Sequence, residues 1–284
     1  MTVRSARKME ERLLTPREIA KFRKTIYRYY NAHGRDLPWR RTRDPYCILV
    51  SEIMLQQTQV ERVLQKYPLF VARFPDFKML ADAPLRDVLA AWQGMGYNRR
   101  ATALKRIAEI VTQERDGNLC ADLESLTTLP GIGYNTACAI MAFAFSEPVV
   151  FIETNIRTVF THFFFPDSNE VRDNEIIALA GETVDRANPH AWYSALMDYG
   201  TMLKKKYGSI NPRSAHYQKQ SPFKGSDRQI RGMILKHLLA NPGCSQPDIV
   251  QNVGIGAERL KQALRSLQAE GFVREKGGVY SIAD

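Results

Sequence analysis

The sequence predicts a mainly α-helical protein that ends in a smaller unit of helices and a strand hairpin. Apolar residues recur at helical spacing from the first helix onward, as at Ile19, Phe22 and Ile26. No series of alternating strands appears before the last sixty or so residues of the 284-residue chain. This length allows one large domain or two moderate ones with a buried core.

The composition is that of a soluble globular protein with an excess of basic residues. The formal net charge is +10, which favours a polyanionic partner, with nucleic acid first and an acidic membrane surface second. No apolar run approaches the ~18 residues of a spanning helix, and the N-terminus lacks the apolar core of a signal peptide. We therefore expect a cytoplasmic monomer without a membrane partner, nucleoid-associated if the source is bacterial.

The cysteines are scattered along the chain and form neither a CxxC pair nor a ligand cluster. We expect reduced, buried thiols and no metal site. The residues concerned are Cys47, Cys120, Cys138 and Cys244.

The first helix begins at TPRE, Thr15 to Glu18, which is a capping box with proline at the first helical position. A loop with glycine and two prolines follows, from His33 to Tyr46. Helices are then predicted over residues 47–74 (one or two helices), 83–96, 98–115, 122–145 (two helices around a glycine-rich hairpin), 173–184 and 191–206.

The pattern changes after residue 203. The stretch 204–225 has no periodicity and is basic, so it is predicted to be a linker between a helical domain, 1–203, and a C-terminal domain, 226–284. The C-terminal domain shows three helical stretches and a hairpin that turns at residues 276–278, and this order resembles a winged helix-turn-helix. Such units contact either DNA or protein, and both alternatives stay open.

The hairpin between two helices reads LPGIGYNTA, Leu129 to Ala137. Glycines allow close approach of the backbone to a phosphate, and the following helix begins with N–H groups that can bind an anion. The motif therefore indicates a sequence-independent clamp on a nucleic-acid backbone. A simple turn between helices is the alternative.

A carboxylate, Glu52, lies within the apolar stretch PYCILVSEIML and is followed by Gln56 and Gln57. An acid in apolar surroundings can hold a proton near neutrality, and amides can read base edges or fill a gap in a duplex. The alternative is a surface glutamate on an amphipathic helix.

The stretch WQGMGYNRR contains a turn at Gly94 and Gly96 that is expected to expose Tyr97, followed by the basic residues Arg99 and Arg100. A core tyrosine and a solvated basic face would give the same pattern.

A second carboxylate, Glu153, ends the apolar run of EPVVFIETNIRTVF, Glu147 to Phe160. Burial of an unpaired carboxylate is costly, so this residue is expected to be solvated, to cap a helix or to serve chemistry.

Together the motifs LPWR, SEIMLQQTQVERV, WQGMGY, LPGIGYNTACAI and MDYGTM resemble the helix-hairpin-helix DNA glycosylases in sequence and in order. They are most similar to the MutY branch of adenine glycosylases, and the resemblance covers roughly Thr15 to Leu203. It implies the fold of that family and an enzyme that flips a nucleotide out of the duplex to reach its glycosidic bond.

The resemblance also implies residue roles. Glu52 matches the general acid that protonates the leaving base, and Glu153 stands where the family has an aspartate that stabilises the oxocarbenium-like sugar. Gln56 matches a residue that fills the duplex near the flipped base, and Tyr97 matches an intercalating aromatic. The remaining candidates are the DNA contacts Gln57, Arg99, Gly131, Gly133, Asn135 and Thr136 and the base-pocket residues Arg40 and Asn155.

The chain departs from the family in ways that affect chemistry. Asn135 stands where bifunctional relatives have a Schiff-base lysine, so a monofunctional enzyme is predicted. No cysteine lies between Lys204 and Arg228, which excludes a thiolate-held [4Fe–4S] cluster in this segment, and no cofactor is expected. The residues from 226 onward are too few for the 8-oxoguanine-recognition domain of the MutY branch.

These observations predict a monofunctional DNA glycosylase of base excision repair whose substrate is a mispaired adenine in double-stranded DNA. Two alternatives stay open: a glycosylase for a mismatched or damaged pyrimidine, and a DNA-binding protein without catalytic activity.

Overall fold

The computed structural model describes residues 13–168, 170–208 and 222–283. In these ranges the chain forms fourteen α-helices, one short 3-10 helix and a three-stranded sheet, which confirms the predicted fold class. No helix within the same ranges is long and apolar enough to cross a membrane.

The helices before the linker begin largely where the sequence predicts. Thr15 and Glu18 form the predicted capping box, with Thr15 Oγ1 accepting from the Glu18 amide and the Glu18 carboxylate accepting from the Thr15 amide. The helices are α1 (Pro16–His33), α2 (Pro45–Leu55), α3 (Val60–Arg73), α4 (Phe77–Asp82), α5 (Leu85–Ala91), α6 (Arg99–Glu114), α7 (Leu123–Thr127), α8 (Tyr134–Ala144), α9 (Thr154–Phe164), α10 (Asp173–Thr183) and α11 (Pro189–Tyr207), with the 3-10 helix at Pro38–Arg40.

The chain divides into two compact units that are both discontinuous in sequence. Their described parts are 13–48, 120–128, 132–168 and 170–208 for unit 1, and 49–119, 129–131 and 222–283 for unit 2. Because α2 crosses the boundary after Ile48, its C-terminal part belongs to unit 2.

Unit 1 is built on α11, which packs on α9, α1 and α8. Aromatic rings fill the space near Phe22, whose ring lies 5.1–5.8 Å from those of four neighbours in edge-to-face geometry, an arrangement favoured for aromatic pairs. These neighbours are Phe160, Phe163, Phe164 and Trp192. At Gly200 the backbone of α11 passes so close to α9 that an added Cβ would lie 2.4 Å from the Asn155 carbonyl oxygen.

Unit 2 contains α3 to α6 together with the C-terminal residues. The latter form α12 (Asp227–Ala240), β1 (Cys244–Ser245), α13 (Gln246–Val253), α14 (Ala257–Ala269), β2 (Val273–Lys276) and β3 (Val279–Ile282). The predicted hairpin is β2–β3. The strand β1 pairs antiparallel with the other edge of β3, so the strand order is β1-β3-β2. The two residues of β1 form too short a strand to show alternation, so no sequence pattern predicts this third strand.

Candidate active site

The first candidate carboxylate, Glu52, is half-buried on α2. Its helix neighbours Leu49, Ile53 and Met54 are fully buried apolar residues, so most of this turn lies in the hydrophobic core. Glu52 is the one ionisable side chain between Leu49 and Leu55. Its apolar setting agrees with the prediction, and its role as a general acid stays a prediction.

Sequence reasoning missed the residue that holds the end of α2 in place. Arg100, which the alternative interpretation placed on a solvated basic face, is buried at the start of α6. Its guanidinium donates hydrogen bonds of 2.9–3.1 Å to Ile53 O, Met54 O, Thr58 Oγ1, Met95 O and Gly96 O, and another to Gln56 O. A cation at the last carbonyls of a helix is favourable, so Arg100 joins the end of α2 to the turn that precedes Tyr97.

Helical spacing alone indicates that the Arg100 side chain is buried. It shares a face of α6 with the buried residues Leu104, Ile107 and Val111, whereas Arg99 lies outside that face. Burial lowers the pKa of Arg100 to about 10, so its guanidinium keeps its charge at neutral pH.

The hairpin is connected to the amide-rich turn after α2. Gln56 Nε2 donates to the Gly131 carbonyl oxygen at 3.1 Å, while Gln57 is exposed with a positive φ of 53°. Gly131 itself has a φ of 78°, and an added Cβ would lie 3.1 Å from Ala103 Cβ. A side chain at this position would be strained, so the turn requires glycine.

Gly133 occupies the N-cap of α8, where no described side chain provides a capping hydrogen bond. Gly133 and Asn135 are exposed, and Thr136 is half-buried. The start of α8 is thus accessible, as the phosphate-clamp prediction requires.

The predicted turn before Tyr97 is present, since Gly94 and Gly96 have φ values of 87° and 68°. The expectation of an exposed ring, however, is wrong. Tyr97 is half-buried, with the guanidinium carbons of Arg100 and Arg228 5.4 and 5.3 Å from its ring centre, and Arg228 also donates to its hydroxyl. Two guanidinium groups thus lie close to the ring, and such cation–π contacts are favourable.

Arg99 is exposed, and its Nε lies 2.6 Å from Glu270 Oε2. The Arg99 hydrogen bond, together with those of Arg231 and Ser266, lowers the pKa of Glu270 to about 2 against a smaller opposing effect of burial. The charge of this DNA-contact candidate is therefore already paired with an acid.

The second candidate carboxylate, Glu153, caps a helix. Its Oε1 accepts from the amides of Asn155 at 2.8 Å and Ile156 at 3.0 Å, and its Oε2 accepts from Asn155 Nδ2 at 3.2 Å. The positive end of α9 thus holds this half-buried carboxylate in one position. Of the three uses that the sequence allowed, the structure shows capping, and a catalytic use stays a prediction.

Arg40, the base-pocket candidate, forms a two-pronged ion pair with the buried Asp198. Its Nη1 and Nη2 lie 2.8 and 2.9 Å from the two carboxylate oxygens, and Arg35 Nε lies 2.7 Å from Asp198 Oδ1. Burial alone would raise the pKa of Asp198, but the two arginines outweigh it and hold this pKa below its usual range. The ion pair with Asp198 explains the position of the Arg40 side chain, and contact of Arg40 with a base stays a prediction.

Thiolate ligation of an iron–sulfur cluster does not fit the end of α11. Lys204 Nζ donates to Asn155 Oδ1 at 2.7 Å there, and the sequence has no cysteine between Lys204 and Arg228. Of the four cysteines only Cys138 is buried, so the expectation of buried thiols is wrong for the other three. The described ranges contain no group of three histidine, cysteine or acidic side chains that could hold a metal ion.

The predicted site residues fall in both units. In unit 2, Gln56 contacts Gly131, and Arg100 contacts both the Tyr97 ring and the end of the helix that carries Glu52. Unit 1 joins Glu153 to Asn155 and holds Arg40 on Asp198.

Comparisons with known proteins identify both parts of the chain. Residues 50–185 match the HhH-GPD superfamily of base excision DNA repair proteins, and residues 227–274 match winged helix-turn-helix DNA-binding domains.

Named relatives extend the match over most of the chain. An adenine DNA glycosylase of Mycolicibacterium smegmatis is 35% identical over 278 residues, which cover 90% of this chain and 94% of the relative. One from Buchnera aphidicola is 35% identical over 187 residues, or 64% of this chain, and the match spans about half, 52%, of that relative.

Among solved structures, a thermostable thymine-DNA glycosylase aligns with a TM-score of 0.60 and 26% identity, over 70% of this chain and 96% of that one. An endonuclease III bound covalently to DNA aligns with a TM-score of 0.55 over 74% of this chain and 92% of that one. Its 17% identity supports likeness of fold alone.

Proposed function

The chain belongs to the HhH-GPD superfamily of base excision DNA repair proteins, and from that premise we propose that it is a monofunctional DNA glycosylase that removes a mispaired adenine. The observation that carries the proposal is the cluster around Glu52. Arg100 and Gln56 hold its helix against the Tyr97 turn and the Gly131 hairpin. An acid, a phosphate-binding turn and an aromatic side chain are thereby fixed before any DNA binds, and such preorganisation is what catalysis requires.

The proposed reaction begins when the target nucleotide is flipped out of the duplex, since its glycosidic bond is otherwise out of reach. Glu52 then donates a proton to the purine ring as the bond to the sugar breaks, so that the base leaves without a negative charge. Glu153 stabilises the positive charge that develops on the sugar. Water adds to the sugar carbon and loses a proton, which leaves an abasic site.

The chemistry of Glu52 favours a purine, because the ring nitrogens of adenine are basic enough to accept a proton from a carboxylic acid. Relatives named adenine DNA glycosylase are 32–35% identical to the chain, whereas the thymine-DNA glycosylase is 26% identical. The basicity of adenine and the identity of the named relatives therefore both support adenine over thymine in this proposal.

The proposal is for a hydrolytic enzyme without a cofactor. Asn135 stands at the hairpin position at which bifunctional relatives carry a lysine, and an amide cannot form an imine with the sugar. The product is therefore an intact strand with an abasic site.

A panel of labelled duplexes tests the proposal, with A opposite 8-oxoguanine, A opposite G, T opposite G and A opposite T. We expect alkali-labile sites at the mispaired adenines and no strand cleavage without alkali. Glu52→Gln keeps the shape of the side chain and removes its proton, so it is expected to lower the excision rate by about 10²-fold or more. Glu61→Gln, at an exposed acid of α3, serves as the matched control and is expected to excise at the wild-type rate.

Release of thymine alone would assign the chain to mismatched pyrimidines instead. Binding of duplex DNA without excision from any of the four substrates would indicate a DNA-binding protein without glycosylase activity.

A further inference from the structure

The last turns of α11 bring a lysine to the proposed catalytic Glu153 through one intervening side chain. Lys204 Nζ lies 2.7 Å from Asn155 Oδ1, and Asn155 Nδ2 lies 3.2 Å from Glu153 Oε2. Lys204 is half-buried, whereas the next residue, Lys205, is exposed. A half-buried ammonium is stabilised by a hydrogen-bond acceptor, and the Asn155 amide oxygen is one.

The chemistry of this chain fixes which way the Asn155 amide points. An ammonium group can only donate hydrogen bonds, and an ionised carboxylate can only accept them. Asn155 has its oxygen towards Lys204 and its NH2 group towards Glu153, so both ends are satisfied. The reverse orientation would place NH2 against ammonium and oxygen against carboxylate, so Lys204 selects the orientation in which Asn155 donates to Glu153.

The backbone of α11 is arranged to allow this contact. Gly200 lies one helical turn before Lys204, and its missing side chain lets α11 approach the Asn155 backbone, where an added Cβ would lie 2.4 Å from the carbonyl oxygen. The lysine therefore extends along the same face of α11 that touches Asn155.

The charges around Lys204 also favour a role beside Glu153. Burial lowers the pKa of Lys204, the negative charge of Glu153 opposes this effect, and the positive charge of Arg157 adds to it. Arg157 is itself paired with Asp173 of α10, at 2.8 and 2.9 Å.

We propose that Lys204 is a positioning residue for Glu153: it orients the Asn155 amide that holds Glu153 Oε2 and places a positive charge beside that carboxylate. This inference rests on the proposed glycosylase function. Lys204 acts through Asn155 and forms no bond with the DNA.

The test compares Lys204→Met, Lys204→Arg and the matched control Lys205→Met with the wild type, in the full chain. The readouts are the single-turnover excision rate on the A·8-oxoguanine duplex, the affinity for that duplex and the unfolding midpoint. We expect Lys204→Met to excise about 10–100-fold more slowly, since small displacements of a reacting group have effects of this size. Its DNA affinity should stay within about twofold of that of Lys205→Met, and Lys204→Arg should recover most of the rate because it keeps the charge and the donors.

Two combinations show whether the effect passes through Asn155 to Glu153. Asn155→Ala alone is expected to lose as much rate as Lys204→Met, and it serves as the second variant if Lys204→Met does not fold. In a Glu153→Gln background, Lys204→Met should have little further effect, because residues that act as one unit are not additive.

Three results would overturn the proposal while leaving the glycosylase function intact. The first is wild-type excision by both Lys204→Met and Asn155→Ala. The second is an undiminished loss from Lys204→Met in the Glu153→Gln background. The third is a covalent complex of the wild type with abasic DNA that can be trapped by borohydride and that does not form with Lys204→Met. Such a complex would show that Lys204 is a nucleophile. A wild type that excises nothing would instead refute the proposed function.

Discussion

The two candidate carboxylates are held in place by opposite means. Glu52 lies on a helix whose end is fixed by Arg100, a residue 44–47 positions further along the chain than the carbonyls it contacts. Glu153 is held by amides two and three residues away. The surroundings of Glu52 therefore depend on the assembly of unit 2, whereas the position of Glu153 depends mostly on one helical turn. The two carboxylates should accordingly respond to different substitutions.

The largest effect is expected from Arg100→Met, which removes the long-range contacts on the Glu52 side. Several buried carbonyl groups would lose a charged donor at once, so the free energy of unfolding should fall by about 3 kcal/mol or more. Arg99→Met is the control, because the exposed pair of Arg99 with Glu270 contributes about 0–1 kcal/mol. Urea unfolding of both variants provides the measurement, and equal losses would refute the contrast between the two adjacent arginines.

A smaller effect is expected from Gly200→Ala on the Glu153 side. The new methyl group would collide with the Asn155 backbone, and forced repacking of this kind costs about 1–3 kcal/mol. Gly232→Ala is the matched control, since this glycine of α12 has open space around its Cβ position and alanine should stabilise its helix by about 0.5–1 kcal/mol. Thermal unfolding of the pair should therefore shift in opposite directions, and a Gly200→Ala variant as stable as wild type would show that the approach of α11 to Asn155 is looser than described.

Glu153 itself permits a test that separates capping from chemistry. Glu153→Ala removes the cap of α9 and should cost about 1 kcal/mol of unfolding free energy, the usual value for an N-cap. Glu153→Gln keeps one acceptor oxygen, so its stability should remain close to that of the wild type while its excision rate falls with the lost charge. The comparison of unfolding curves with excision rates checks both statements, and full activity of Glu153→Gln would restrict this residue to its structural role.

The smallest effect concerns pH and the Arg99–Glu270 pair. The pKa of Glu270 is about 2 in the folded protein, below the ordinary value of a glutamate, so its contribution to stability is present above about pH 4.5 and is lost as the pH falls towards 2. Unfolding measured from pH 6 to pH 3 should show a steeper loss for wild type than for Glu270→Gln. Parallel curves would mean that the contacts of Glu270 with Arg99, Arg231 and Ser266 together contribute nothing to the free energy of unfolding.

Local patterns made much of the fold and part of the site predictable. The capping box of α1, the glycine turn before Tyr97 and the hairpin with Gly131 each depend on a few adjacent residues, and the structure shows all three. Capping by Glu153 was one of the uses that the sequence allowed, because its donors lie within three residues.

The features that sequence reasoning missed depend on residues far apart in the chain. Helical spacing indicates that Arg100 is buried, but its carbonyl partners at the end of α2 lie more than forty positions away, and the Arg228 side chain that contacts Tyr97 lies 131 positions away. In the sequence, Lys204 is the first of three consecutive lysines. No sequence pattern distinguishes this lysine, which contacts Asn155, from its exposed neighbours. Contacts of this kind become visible only when the helices are placed in space.

The cap at Glu153 has a consequence for experiment. The amide protons of Asn155 and Ile156 are both hydrogen-bonded to Glu153 Oε1, and their exchange with deuterated solvent requires this carboxylate to move away. Their exchange rates therefore report how firmly the carboxylate is held in the free protein, without substrate or turnover. The exchange of two backbone protons thus measures the order of a candidate catalytic side chain.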